Sequence, residues 1–361
     1  MTDKIQQGKI TEEGPGGRPR DTYRAVAIWL WSLAALVFLM VMVGGVTRLT
    51  ESGLSITQWK PVTGVLPPWS EADWQAEFES YKQIPQYAAI FPNMDVAGFK
   101  FIYFWEWLHR LLGRLIGVAT VLPLAYFWLR GGLPRGFEVK LLAVLALGAL
   151  QGVVGWWMVA SGLTERIEVA QERLAIHLVL AAVTFAALVW LAASLSRRKP
   201  ELSGHAVPML QWLAFGAVLG LILQIGLGAL VAGLRAGRAY NTWPLIDGAF
   251  IPPLDDLAML EPVWLNLVDN VLTVQFLHRM VGYGLVALVV VQVPLAARLA
   301  GGSRAYRRSV VLAGLVVLQV AIGVVTLLLA VPLWAGLLHQ AFAMMILGHA
   351  VAHAQALTVS R

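Results

Sequence analysis

Apolar residues in this chain come in long, nearly unbroken runs. Eight of them, at about 25–48, 101–129, 138–162, 173–195, 208–233, 271–297, 309–331 and 334–357, are long enough to cross a bilayer, since a spanning helix needs about 20 apolar residues. Short strands of alternating character, the mark of a membrane β-barrel, do not appear. Pro123 and Pro294 fall inside two of the runs. Packed membrane helices tolerate such prolines because neighbours satisfy the freed backbone groups. The pattern predicts an all-α integral membrane protein with eight transmembrane helices.

Charge fixes the expected orientation. The connecting segments 49–100, 163–172 and 234–270 carry more Asp and Glu than Lys and Arg, whereas 130–140, 196–207 and 298–309 are net basic, with Arg197-Arg198-Lys199 and with Arg304, Arg307 and Arg308. The positive-inside rule then puts both termini in the cytoplasm and the two long loops outside. Residues 1–24 are polar, mixed in charge and rich in Gly and Pro, which predicts a disordered cytoplasmic tail. They lack the apolar core and cleavage site of a signal peptide, so the first span is expected to stay as an anchor. Charged residues make up 13% of the chain and hydrophobic ones 58%, about half the charge of a soluble domain. The net charge of +6 follows from the topology and calls for no nucleic-acid partner. The chain has no cysteine, which excludes disulfides, iron–sulfur ligation, thiolate haem ligation and a cysteine nucleophile.

The chain also repeats itself. Gly44-Gly45-Val46-Thr47-Arg48, Gln58-Trp59-Lys60-Pro61 and Gly64-Val65-Leu66-Pro67-Pro68 are echoed by Gly226-Leu227-Gly228-Ala229, Asn241-Thr242-Trp243-Pro244 and Gly248-Ala249-Phe250-Ile251-Pro252-Pro253. Leu150-Gln151-Gly152-Val153-Val154-Gly155 is matched by Leu318-Gln319-Val320-Ala321-Ile322-Gly323. The shared loop motifs are not hydropathy features, so composition alone does not explain them. Two units of four spans each have the same orientation, a parallel repeat about the membrane normal. The expected architecture is two pseudo-symmetric four-helix bundles, residues 25–200 and 201–361.

Within each unit, two histidines fall at matching places near the outer ends of even-numbered spans: His109 and His177, then His278 and His339. A lone membrane histidine is usually a packing residue. A repeated pair inside a four-helix bundle points instead to haem, because imidazole is a common axial ligand and bundle cores house such sites. Zinc or copper fits less well, since two ligands per unit leave the ion under-coordinated, whereas a porphyrin brings four nitrogens of its own. Three residues before one histidine of each unit stands Glu106 in the first and Gln275 in the second. Glu106 is an acidic side chain inside a predicted span, a costly place that usually signals function. It shares a helical face with His109. An ion pair with an arginine is the structural alternative. Arg48, Arg110, Arg114, Arg173 and Arg279 lie in or at the ends of spans, placed either to hold propionates or to snorkel. Trp59, Trp69, Trp74, Trp105, Trp107, Trp243 and Trp264 cluster near the outer face, as an aromatic belt would. His349 and His353 have metal-ligand spacing but no third ligand, so interfacial or packing roles are expected. His205 is expected to be exposed in a basic loop.

The run Gly44-Gly45-Val46-Thr47-Arg48-Leu49-Thr50-Glu51-Ser52-Gly53-Leu54-Ser55-Ile56, the Gln58-Trp59-Lys60-Pro61 after it and Glu106-Trp107-Leu108-His109-Arg110 resemble the haem A synthase family. Asn241-Thr242-Trp243-Pro244-Leu245, Leu277-His278-Arg279 and Leu338-His339-Gln340 fit it too. The resemblance covers nearly the whole chain beyond the tail. Without cysteines it is similar to the class of proteobacteria and mitochondria, and no role of the cysteine pair found in other members carries over. The resemblance implies an inner-membrane oxidoreductase for cytochrome oxidase biogenesis that hydroxylates the C8 methyl group of haem O successively, loss of water leaving the formyl group of haem A. It implies haem B on His278 and His339, substrate haem O on His109 and His177, and Glu106 as the catalytic carboxylate, either carrying a proton or stabilising a cation. Two axial histidines leave the substrate iron no open position, so one must dissociate or the oxidation takes another route. An unidentified electron donor is required, contact with the haem O-producing farnesyl transferase is an expectation, and a homo-oligomer is compatible with the chain. The rival readings are a dihaem membrane cytochrome that only carries electrons and a transporter or assembly factor with packing histidines.

Overall fold

A computed structural model describes residues 19–60, 63–196 and 206–358. These residues form twelve α-helices: α1 (Pro19–Leu49), α2 (Glu71–Tyr81), α3 (Pro85–Ile90), α4 (Val96–Leu129), α5 (Phe137–Ala160), α6 (Gln171–Ser194), α7 (Ala206–Gly233), α8 (Ala236–Ala239), α9 (Leu254–Leu257), α10 (Val271–Ala300), α11 (Arg304–Leu328) and α12 (Leu333–Thr358). Eight of them, α1, α4, α5, α6, α7, α10, α11 and α12, are long and apolar enough to span a membrane. They coincide with the eight runs read from the sequence. Their apolar surfaces stay uncovered at many points, as at Leu129 (87% exposed) and Leu122 (63%), which suits lipid as the neighbour. The first helix begins at Pro19, inside the stretch expected to be a tail. The rest of that stretch, with His205 and Arg197-Arg198-Lys199, lies outside the described residues.

Helix starts follow ordinary capping rules. Asp95 accepts from the Gly98 amide ahead of α4, and Ser303 from that of Tyr306 ahead of α11. Asn270 accepts from Leu272 and Thr273 ahead of α10. Each cap satisfies amides that the first turn leaves without a partner. The Asp95 cap and the buried Phe99 carry α4 five residues further out than the expected start at 101.

The helices pack as two rings in the same order. In the first, α1 meets α4 and α6, and α5 meets α4 and α6. In the second, α7 meets α10 and α12, and α11 meets α10 and α12. The rings join where α6 meets α7, α1 meets α12, and α6 meets α12. The largest core cluster lies along this seam, with Leu30, Leu33, Ala182, Leu188, Ala217 and Leu347 nearly or fully buried.

An outer cap covers the first ring. Leu54, Ile56, Phe78, Tyr81, Phe99 and Tyr103 form a second core in which α2 and the 50–60 loop are fastened to the outer end of α4. Aromatic rings do much of the packing: Phe78 and Phe99 lie 5.0 Å apart, and Trp74 meets Tyr103 edge-on at 5.0 Å. This cap sets the position of Ser55 and Ile56, both of which reach Glu106.

Ion pairs tie the rings together at the same face. Arg48, at the end of α1, bonds Glu51 and Glu168 and also donates to the carbonyls of Ala232 and Gly233 at the end of α7. Arg235, just beyond α7, pairs back with Glu51 and Glu168. Cations at a helix C-terminus find both unpaired carbonyls and the negative end of the dipole.

Candidate functional site

His109 and His177 face each other across the first ring. Their ring centroids are 6.5 Å apart and their planes inclined by 61°. His278 and His339 stand at the matching places of the second ring, on α10 and α12. All four residues are partly buried.

Each histidine ring rests against a glycine on the neighbouring helix. A Cβ at Gly44 would come within 3.2 Å of His109, at Gly155 within 3.0 Å of His177, at Gly228 within 3.3 Å of His278 and at Gly323 within 2.8 Å of His339. Glycine is what lets the backbone approach the imidazole this closely. One turn before three of these glycines stands a glutamine. Gln151, Gln224 and Gln319 donate through Nε2 to the backbone carbonyls of His177, His278 and His339 at 3.0, 2.9 and 2.9 Å. Before Gly44 the residue is Met40. Its methyl lies over Gly113, the residue four after His109, as the Gln224 amide lies over Gly282, four after His278.

This arrangement fits a haem. An imidazole–metal bond is about 2 Å, so two bonds end to end with half a ring on each side set ring centres roughly 6 Å apart. The 6.5 Å between His109 and His177 agrees. His339 Nδ1 is buried without a hydrogen-bond partner, as a donor set awaiting a ligand would be. A bare metal ion fits less well: among the described residues no group of three or more His, Cys, Asp or Glu side chains gathers to hold one.

Glu106 is 3% exposed and fully hydrogen-bonded. Oε1 accepts from Arg110 Nε at 3.1 Å and Nη2 at 2.6 Å, and Oε2 accepts from Ser55 Oγ and the Ile56 amide, both at 2.8 Å. Arg110 also donates to the carbonyls of Ile56 and Gln58 and lies over the Trp59 ring. The ion pair that the sequence left as an alternative is therefore present. Glu138 and Glu172 sit in the first turns of α5 and α6, at helix ends, where Glu106 is well inside α4.

The second ring repeats this frame with opposite polarity. Gln275 accepts from Arg279 Nη2 through Oε1 at 3.1 Å, but its Nε2 donates to the carbonyls of Ala236 and Tyr240. Arg279 reaches the Thr242 carbonyl, as Arg110 reaches Ile56. The first loop thus offers donors to a carboxylate, while the second offers acceptors to an amide. The charge difference is built into both loops as well as into the two side chains.

Other arginines are engaged by the protein itself. Arg114 donates to the Lys60 carbonyl, and Arg173 to that of Trp157, whose ring it covers at 4.4 Å. Trp59, Trp69, Trp243 and Trp264 are exposed, while Trp74 belongs to the outer core. His353 is 1% exposed and bonds Gln292 and Ser309. His349 meets the Arg308 carbonyl. Both are hydrogen-bonded within the protein. Sequence reading missed Ser55 and Ile56 as partners of Glu106, and it noted the Gln151 and Gln319 segments only as repeats.

The model of a family described as cytochrome oxidase assembly protein matches residues 27–351. The chain belongs to this family. Its relatives include proteins named heme A synthase. One from Beijerinckia indica is 63% identical, covering 97% of this chain and 99% of its own. One from Rhodopseudomonas palustris is 53% identical over 92% and 91%, and one from Sinorhizobium fredii 50% identical over 91% and 89%. The family match takes in both rings, all four histidines and the Glu106 and Gln275 frames.

Proposed function

We propose that the protein is a membrane oxidoreductase converting haem O to haem A for cytochrome oxidase, with the reaction in the first ring and haem B in the second. The C8 methyl group is hydroxylated successively, and loss of water leaves the formyl group. The observation that carries this assignment of halves is the difference between Glu106 and Gln275 within otherwise matching frames. An electron carrier with two equivalent haems has no use for a buried charge in one frame and a neutral amide in the other.

His109 and His177 hold the substrate iron, and His278 and His339 hold haem B. Bound haem B supplies one-electron transfer. Glu106 sits one turn from His109 on the same helical face and presents a fixed negative charge beside the substrate. Positive charge developing at the methyl carbon is stabilised by a carboxylate already oriented in a dry site. Arg110, Ser55 and the Ile56 amide supply that orientation. All four contacts are donors, and an ionised carboxylate is acceptor-only, so taking up a proton means giving up one of the four bonds. Cation stabilisation therefore fits better than proton carriage. Leu54 and Ser55 are fully or nearly fully buried, so the loop that orients the carboxylate also keeps water from it.

The basic residues Arg130, Arg135, Arg298, Arg304 and Arg307 gather at the end opposite the outer cap, which supports cytoplasmic termini and haem sites toward the outer face of the inner membrane. The test is pigment analysis of protein purified from cells with and without haem O production. Haem A appearing only when haem O is made supports the reading, and haem B as the sole pigment in both preparations refutes it.

A further inference from the structure

Two consecutive glycines on α1 face different rings. A Cβ at Gly44 would come within 3.2 Å of the His109 imidazole, inside the first ring, whereas one at Gly45 would come within 2.5 Å of Gln340 Oε1. Gln340 belongs to α12 of the second ring and follows His339 in the chain. Its Nε2 donates to the Val41 carbonyl at 2.7 Å. In an α-helix that carbonyl already serves the amide four residues on, here Gly45, and its second lone pair takes the glutamine. The same face of α12 continues along α1: a Cβ at Gly336, one turn before Gln340, would come within 3.0 Å of Leu49. The repeat does not carry this tie. Where α6 meets α7, the residue after His177 is Leu178, and the residue after the glycine cradling His278 is Ala229. Leu178 packs in the apolar seam and Ala229 is 3% exposed. The polar tie therefore runs one way, from the second ring to the first. An amide set against a small residue is a usual way to join membrane helices. Here the joined turn, 41–45, is also the one whose backbone bounds the His109 ring.

We propose that Gln340 is a positioning residue for the first ring: reaching across from the second ring, it holds the α1 turn that sets the orientation of His109. This rests on His109 ligating the substrate haem, as proposed above. A displacement of that turn by a few tenths of an ångström changes the space open to the imidazole. The reaction site is then incomplete without a residue of the haem B unit, which gives a reason for the two rings to be packed in one chain.

The test breaks the tie from either side. Gln340→Met keeps the length of the side chain and removes the donor, and Gly45→Ala adds a methyl that displaces the amide. Full-length protein is purified from cells making haem O. Its pigments are quantified, and the oxidised form is examined by electron paramagnetic resonance, since the orientation of an axial imidazole shapes the signal of a low-spin ferric haem. The first-ring signal is the one missing from His177→Ala. Both variants should keep haem B and its signal, shift the first-ring signal, and slow conversion to haem A by about tenfold to a hundredfold, the scale of a misplacement within about 1 Å. Gly45→Ala combined with Gln340→Ala should be no worse than Gln340→Ala alone, because the shortened side chain leaves the methyl nothing to displace; residues in contact couple in this way. Leu178→Met, at the matching place of the other seam, should behave as the parent. An unchanged first-ring signal and rate in Gln340→Met overturn the proposal. Equal shifts at both haems, or an equal effect of Leu178→Met, mark a general loosening of the seam and overturn it too, as do effects of Gly45→Ala and Gln340→Ala that simply add. If Gln340→Met fails to assemble, Gly45→Ala decides, since it leaves every side chain of α12 in place. A parent from which His177→Ala removes no haem refutes the functional reading itself, and this proposal with it.

Discussion

Glu106→Gln keeps the shape of the side chain and removes its charge. An amide has one oxygen, so it can serve only one of the two donor pairs around the carboxylate. The arginine pair should keep it, as Arg279 keeps Gln275 Oε1 in the second ring. The new NH2 then faces Ser55 Oγ and the Ile56 amide. The hydroxyl can turn and accept, but the Ile56 N–H cannot, and a buried donor left without an acceptor costs about 1–3 kcal/mol. The two Arg110 bonds also fall from charge-assisted to charged–neutral, a further ~1–3 kcal/mol. The local penalty of roughly 2–6 kcal/mol is large against a typical total stability of about 5–15 kcal/mol, but it falls on one loop, and the seam between the rings is untouched. The variant should therefore fold, retain haem B and bind haem O, while conversion to haem A, followed by chromatography of extracted pigments, falls by about 10²–10³, the usual effect of removing one electrostatic stabiliser of a transition state. Ser55→Ala separates charge from loop placement: it removes one donor to the same oxygen and leaves the carboxylate, so conversion should stay within about tenfold of the parent. Full turnover in Glu106→Gln refutes the catalytic role, and equal loss in Ser55→Ala shows that loop placement matters rather than charge.

Three further outcomes follow from the geometry. His278→Ala should deplete haem B and leave the first-ring haem in place, measured as the ratio of the two extracted pigments; unchanged haem B removes that ligand assignment. Gly323→Ala places a Cβ 2.8 Å from His339 Cε1, so haem B occupancy should fall while the protein still folds, whereas Gly148→Ala, which meets nothing within 4 Å, should leave the haem content unchanged. Phe99→Ala opens a cavity in the outer cap where the side chain is fully buried, and should cost about 3–5 kcal/mol; thermal unfolding in detergent should reach it at lower temperature, with protease cutting the 50–95 segment first.

Most of this was legible in the chain, for physical reasons. A spanning helix must be a long apolar run, so the eight helices could be read directly, and their ends shifted by a few residues, as where the Asp95 cap lengthens α4 and where α1 begins at Pro19. The four histidines were visible because the repeat placed them at equivalent points, and Glu106 because a charge inside an apolar run is conspicuous. Its partners were not visible: Ser55 and Ile56 are about fifty residues away and reach Glu106 only because Tyr81, Phe99 and Tyr103 hold the cap against α4. Glu51, Glu168 and Arg235 read as topology signals in their loops and Arg48 as a propionate holder or a snorkelling residue, and only the packing of α6 against α1 and α7 makes them one cluster. Gln151 and Gln319 were present in the sequence as a repeat, but their contacts with His177 and His339 depend on which helix faces which histidine.

The central claim is that the two rings hold different haems, one of them substrate. Pigment analysis of His177→Ala and His339→Ala, each purified from cells that make haem O, tests it most directly. His177→Ala should lose haem O and haem A while keeping haem B, and His339→Ala should lose haem B while keeping the other haem. Loss of the same pigment from both variants would contradict the account.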